Sequence, residues 1–350
     1  MPSITIGGVK LKAGERQSID LPLPSLYSHS QVTMPVHVIN GKQSGPVIFV
    51  SAAIHGDEIN GVEIIRRLLK RKCMKRLKGT LILVPVVNVY GFISQSRYLP
   101  DRRDLNRSFP GSESGSMASR LAYTFMQEIA LKCSYGIDLH TGAIGRENLP
   151  QIRAKVEGDK TTEAMARAFN APVIMNSELL DGSLRKAVAK KNIPILLYEA
   201  GEALRFDETC IRAGVSGVLN VMRCLGMLPK KKPKRNPANI LIAKSSKWVR
   251  APQSGISRAI VPMGERVHKG DVIAWVSDPF GEQEQEIISP ISGIIIGKSN
   301  LPLVHEGEAL FHIARFDEND TVADSLEEFQ EQHDPQSDNK DTNTHEPVIF

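Results

Sequence analysis

The chain has 350 residues and a formal net charge of +5 at pH 7, with 41% hydrophobic and 24% charged residues. That length suits two domains and allows a sizeable core without disulfide staples, and no apolar run approaches the length that crosses a membrane. Cys73, Cys133, Cys210 and Cys224 show no C-x-x-C spacing, which argues against a cysteine metal site and for free thiols in a reducing compartment. Met1 is not followed by a basic region and an apolar core, so a soluble cytoplasmic protein is expected.

The charge is unevenly placed. Residues 317–350 carry 11 acidic side chains and a single lysine, Lys340, which leaves 43 basic and 28 acidic residues in the first 316. A basic body attracts anionic ligands. Aromatic content is only 5%, and no recognition helix or RNA-binding sheet motif is visible, so nucleic acid is not expected as a partner.

In chain order, the first 40 or so residues are strand-rich. Apolar runs of strand length follow at 47–52, 80–87, 135–139, 171–175 and 193–198, and amphipathic helical patterns at 61–72, 117–132, 161–169, 184–191 and 208–225. Continuous apolar strands alternating with helices predict an α/β fold. Its sheet should be mostly parallel or mixed and flanked by helices. This catalytic α/β domain is expected to span 1–228. Residues 229–237, Pro-Lys-Lys-Lys-Pro-Lys-Arg-Asn-Pro, read as a stiff basic linker. Residues 238–316 turn short, Gly-rich and β-like, with a weak repeat between Pro252-Gln253-Ser254-Gly255-Ile256 and Pro290-Ile291-Ser292-Gly293-Ile294. This segment resembles the barrel-sandwich of biotinyl and lipoyl carriers, but its hairpin at 277–286 contains no lysine to modify. The acidic segment 317–350 is expected to be a largely disordered tail.

The chemistry concentrates at strand ends. His55 and Glu58 stand three apart, after the run Val47-Ile48-Phe49-Val50 and before a helix. Imidazole and carboxylate are both zinc ligands, and a catalytic zinc takes three protein ligands and a water. A third ligand is therefore expected at another strand end, where Asp138-Leu139-His140 offers His140. Glu199, in Tyr198-Glu199-Ala200-Gly201, lies at a strand end too, where ligands of open α/β sheets bind.

His55-Gly56-Asp57-Glu58, then Asp104-Leu105-Asn106-Arg107-Ser108-Phe109-Pro110-Gly111, then Asp138-Leu139-His140, then Glu199-Ala200-Gly201 stand in an ordered series. Together, over roughly residues 1–316, they resemble the succinylglutamate desuccinylase/aspartoacylase family. These are zinc deacylases with a zinc carboxypeptidase-like fold and an added C-terminal β domain. The resemblance implies one zinc per chain on His55, Glu58 and His140, with Glu199 as the base that takes a proton from water and passes it to the leaving amine. It implies Asn106 and Arg107 as a carboxylate clamp and Arg97 as the group that polarises the substrate carbonyl. The spacing from Arg97 to Asn106 is about two residues longer than in aspartoacylase, so Arg102 and Arg103 stay open for that role. Arg185 would be a further substrate-binding arginine, or else an exposed charge in a first helical turn. Asp138 would orient a ligand imidazole, or else cap a turn. Glu199 itself has a plainer alternative, a strand-end glutamate paired with an arginine.

The expected activity is hydrolysis of the amide of a small anionic N-acyl amino acid. A zinc metallocarboxypeptidase that removes a C-terminal, acidic residue is the alternative, and a catalytically inactive binding protein is a third. A homo-oligomer is compatible with the resemblance, and neither the acyl group nor the amino acid is named by these residues.

Overall fold

The computed structural model describes residues 3–230, 241–316, 328–329 and 331–333. Most of the basic linker and most of the acidic tail lie outside the described residues. The first part of the chain runs β1 (Ile4–Ile6), β2 (Val9–Leu11), β3 (Arg16–Leu23), β4 (Val32–Asn40), β5 (Gln43–Ala52), α1 (Asn60–Lys70), β6 (Lys78–Val84), α2 (Val89–Ile93) and α3 (Met117–Glu128). It continues with β7 (Tyr135–His140), β8 (Arg146–Ala154), α4 (Lys160–Phe169), β9 (Val173–Asn176), α5 (Leu184–Ala189), β10 (Ile195–Gly201) and α6 (Glu208–Cys224). The rest is all β: β11 (Leu241–Ala243), β12 (Ser245–Arg250), β13 (Gly255–Ala259), β14 (Arg266–Val267), β15 (Val272–Ser277), β16 (Glu284–Ile288), β17 (Gly293–Ser299), β18 (Leu303–Val304) and β19 (Ala309–Arg315).

The centre of the main sheet is the parallel set β6, β5, β7 and β10, in that order. Its apolar runs are continuous because both faces are covered. On β5, Ile48, Val50 and Ala52 enter the core shared with Ile64, Ile65 and Leu68 of α1 and Ile211, Val215 and Val218 of α6. Phe49 points the other way, against Phe125 of α3. Burying each such α1 side chain contributes on the order of 1.5–3 kcal/mol, which holds α1 against the sheet just beyond the His55 turn. The fit is close: a Cβ on Gly61 would stand 2.7 Å from the Ala52 Cβ and 2.8 Å from the Leu139 Cβ.

On the α3 face the side chains change character along the strands. Phe49 and Ile195 are apolar, whereas Ser51, Asp138, His140 and Glu199, nearer the carboxyl ends, are polar. The site is built there.

Two features depart from the sequence expectations. Residues 146–154 form a strand, β8, antiparallel to β10. The ladder places Gln151 opposite Glu199 and Asn148 opposite Gly201, so two residues, Leu149 and Pro150, face one. Pro150 lacks an N–H and is accommodated at this bulge. The other is that the C-terminal β segment joins the main sheet directly. β17 pairs with β8 through Gly297–Asn148, Lys298–Glu147 and Ser299–Arg146, so β17, β19 and β12 prolong the catalytic sheet. A second, 4-stranded sheet, β16-β15-β13-β18, belongs to the same segment, whose core includes Val249, Ile273, Val276, Ile295, Phe311 and Ile313.

Candidate metal centre and active site

The loop after β5 returns on itself, with the Glu58 N–H donating to the His55 carbonyl at 3.1 Å. Gly56 is needed for this path, since a Cβ there would come 2.0 Å from the backbone of Gly91. His55 and Glu58 then face His140 at the end of β7, and all three are buried. One ligand atom from each lies within 4.8 Å of the others.

Glu58 bridges the two imidazoles, with Oε1 2.7 Å from His55 Nδ1 and Oε2 2.6 Å from His140 Nδ1. The Thr141 N–H also donates to Oε2, at 3.2 Å. Each imidazole turns its other nitrogen to an aspartate: His140 Nε2 lies 2.8 Å from Asp138 Oδ2, and His55 Nε2 3.2 Å from Asp104 Oδ1. An imidazole that donates Nε2–H to a carboxylate presents its Nδ1 lone pair, so both histidines are oriented to ligate through Nδ1. Two imidazoles and a carboxylate, buried and held by outer carboxylates, fit a metal ion.

Burial pushes the Glu58 carboxyl up, but the charges and hydrogen bonds of His55 and His140 outweigh it and hold Glu58 well below the usual carboxylate range. Burial pulls His140 down, and Asp138 and Glu58 together raise it well above an ordinary histidine. His55 is raised likewise, against burial, by Glu58 and Asp104.

Asp138 lies inside β7 rather than at a turn. Its second oxygen accepts from Ser51 Oγ at 2.7 Å, so the cap alternative does not apply. Arg97 is the arginine brought to the cluster. Its guanidinium donates to His55 Nδ1 at 3.2 Å, Glu58 Oε1 at 3.4 Å and Asp104 Oδ2 at 3.0 Å. Arg102 and Arg103 are exposed. Glu199 sits beside His140 in the ladder, opposite Gln151 on its other side. The plainer alternative also has a counterpart, because Arg153 Nε lies 2.5 Å from Glu199 Oε2. The contact is one of charge, since neither atom makes an aligned hydrogen bond.

The clamp segment is tied down by Asn106, whose Oδ1 accepts from the Leu184 N–H at 2.9 Å. That oxygen therefore holds α5 in place, and the Arg107 guanidinium donates to the Asn106 carbonyl at 2.6 Å. Arg185, in the first turn of α5, is not an exposed charge: it is 7% exposed, and its NH1 has no hydrogen-bond partner among the described residues. Burial and the charges of Arg153 and Arg107 lower its pKa, opposed by Glu199 and Asp138. Arg153 and Arg185 thus both lie within electrostatic reach of Glu199.

Asp104, Ser51, Gln151 and Arg153 were not assigned roles from the sequence. Asp104 stood inside a quoted motif, but its contact with His55 is long-range. Arg153 lies on the strand whose polar, Pro-interrupted pattern hid it.

The family model described as the succinylglutamate desuccinylase/aspartoacylase catalytic domain matches residues 44–225, just over half of the chain. The chain belongs to this family. Among its relatives is the N-alpha-acetyl-L-2,4-diaminobutyric acid deacetylase of Halomonas elongata, 27% identical over 256 residues that cover 71% of this chain and 75% of the relative. A succinylglutamate desuccinylase/aspartoacylase from Rhodobacter sphaeroides superposes with a TM-score of 0.78 at 25% identity, covering 87% of this chain and 97% of that one. The product-bound ectoine utilization protein EutE (DoeB) from Ruegeria pomeroyi gives a TM-score of 0.78 at 26% identity, with the same coverage of 87% and 97%. This member of the family shares with them the large mixed sheet and the C-terminal all-β region.

Proposed function

We propose that this protein is a zinc-dependent hydrolase that cleaves the amide of a small N-acyl amino acid carrying a carboxylate. The observation that carries the reading is the row at the ends of β5, β7 and β10, where His55, Glu58 and His140 converge beside Glu199 and a cluster of arginines. Deacylases and deacetylases among the relatives support amide hydrolysis. Two histidines and one glutamate are a ligand set that zinc hydrolases use.

Zinc held by His55, Glu58 and His140 would polarise the scissile carbonyl and acidify a water. The chain's own residues supply the remaining steps. Asp138 and Asp104 hold the two imidazoles in the orientation that ligation needs. Arg97, at the edge of the cluster, donates to the oxygen on which negative charge develops. Glu199 takes the proton of the attacking water and returns it to the leaving amine. Arg107 and Arg185 bind the substrate carboxylate, with Asn106 fixing the distance between their two segments. The strand pairing of β17 with β8 and the contact of Asn300 Nδ2 with Glu202 at 2.9 Å bring the C-terminal β segment close to this row, which favours a small substrate. Four free cysteines suit a reducing compartment, and we place the protein in the cytoplasm.

The test is a panel of N-acyl amino acids and acidic dipeptides incubated with zinc-loaded protein, reading free amine. Release from the N-acyl amino acids, lost on chelation and regained with zinc, is expected. Turnover confined to the dipeptides would make the protein a carboxypeptidase instead.

A further inference from the structure

We propose that Arg153 is a substrate-binding residue that rests on Glu199 in the free protein and moves to the substrate carboxylate on binding, so that an anionic substrate uncovers the group that attacks it. This rests on the functional reading above and adds a specificity residue to it.

The geometry supports a contact made to be exchanged. Arg153 Nε and Glu199 Oε2 are 2.5 Å apart, yet neither atom is in an aligned hydrogen bond. A structural arginine–carboxylate pair often takes two parallel N–H···O bonds. Such pairing holds Arg67, whose NH1 and NH2 reach the two Glu208 oxygens at 2.8 and 2.7 Å. Arg153 shows nothing similar. The two contacting atoms are buried, but the Arg153 side chain keeps 27% of its surface exposed and Glu199 keeps 18%, so part of each side chain reaches solvent.

The charge balance points the same way. Arg107 and Arg153 both act on Arg185, and the acidic groups facing Arg185 are Glu199 and Asp138. Asp138 is already committed to His140 and Ser51. Glu199 is therefore the one carboxylate left to balance Arg153 and Arg185, and Arg185 has a buried N–H without a partner among the described residues. A second carboxylate, brought by the substrate, corrects both deficits. It has room for several N–H donors, so it can accept from Arg185 NH1 and from the Arg153 fork together. Arg153 then leaves Glu199, which is free to accept the proton of water. Arg153 starts from β8 opposite Leu197, two residues along from Gln151, which is opposite Glu199, so rotation of its side chain suffices. A neutral substrate offers no such anchor and leaves Arg153 on the base.

Calorimetry with an N-acyl amino acid analogue whose scissile amide is replaced by an inert isostere, and with the carboxamide of that analogue, tests this without turnover, using zinc-loaded protein. In Glu199→Gln the acid no longer competes with a carboxylate for Arg153, so it should bind about tenfold tighter than to wild type, with the carboxamide unchanged. Adding Arg153→Met should remove that gain, and Arg153→Lys should restore part of the preference for the acid. Steady-state rates give a second readout. Arg153→Met should lower kcat/KM for the acid while kcat for the carboxamide stays level or rises. An unchanged acid-to-carboxamide affinity ratio in Glu199→Gln, or equal losses on both ligands in Arg153→Met, would overturn the proposal. Should wild type neither bind nor hydrolyse any N-acyl amino acid, the functional reading falls first and this inference with it.

Discussion

Replacing Asp138 by asparagine tests the metal centre through a residue that does not ligate. Asp138 is fully buried and holds His140 Nε2 at 2.8 Å while accepting from Ser51 at 2.7 Å. Asparagine keeps the volume and one acceptor oxygen but removes the negative charge that makes the imidazole a stronger donor. Loss of such an outer partner weakens a metal site by about 10–100-fold, or roughly 1.4–2.7 kcal/mol. With zinc in excess, the metal's contribution to stability falls by the same amount. For a folded body of about 300 residues the melting entropy is about 0.6 kcal/mol/K, so the zinc-bound protein should melt about 2–4 °C lower. The assay is zinc titration against a competing chelator, paired with melting curves of metal-loaded and metal-free protein. The metal-free melting point should move differently, because Asp138 there stabilises a charged His140 rather than a ligand. A variant that holds zinc as tightly as wild type would refute the assignment of His140 as a ligand oriented by Asp138.

Glu199→Gln should retain stoichiometric zinc while kcat falls by roughly two to four decades, the usual loss with a general base; a change confined to KM would make Glu199 a binding residue. Converting the substrate carboxylate to a carboxamide should cost on the order of 2–5 kcal/mol in kcat/KM, and Arg107→Lys should be poorly tolerated because an ammonium cannot reproduce the fork; equal rates on both substrates would remove the anionic-substrate reading. His312 stacks on Trp248 at 4.4 Å, and burial, with Arg153 and Arg146 nearby, lowers its pKa to about 3. Its folded pKa lies below the unfolded value, so its contribution to stability is present above about pH 6.5 and is lost as pH falls toward 3. Unfolding free energies measured across that window should slope less in His312→Phe, and an identical slope would show that His312 takes up no proton on unfolding.

The architecture was legible because its signals are local. A strand covered on both faces must be apolar throughout, and a helix packed on one side must be apolar every three or four residues. β5, β7, β10, α1, α3, α4, α5 and α6 all carry those periods and lie within a few residues of where they were expected. β8 was not legible. The polar run Arg146-Glu147-Asn148 and Pro150 break its alternation, and it is a strand because β10 and β17 offer backbone partners on both sides.

The site divides along the same line. His55 and Glu58 share one turn, and Asp138 and His140 share one strand, so spacing sets each pair, and the pairing of β7 with β5 brings the two pairs together. The sequence by itself thus pointed to the three residues that converge, to the strand ends that carry them and to the family. Tertiary structure decided what has no fixed spacing. It brought Arg97 to the cluster and left Arg102 and Arg103 exposed, set Asp104 behind His55, buried Arg185 and laid Arg153 against Glu199. Those contacts join residues between 7 and 49 or more positions apart, through loops and strand pairing that no local pattern encodes.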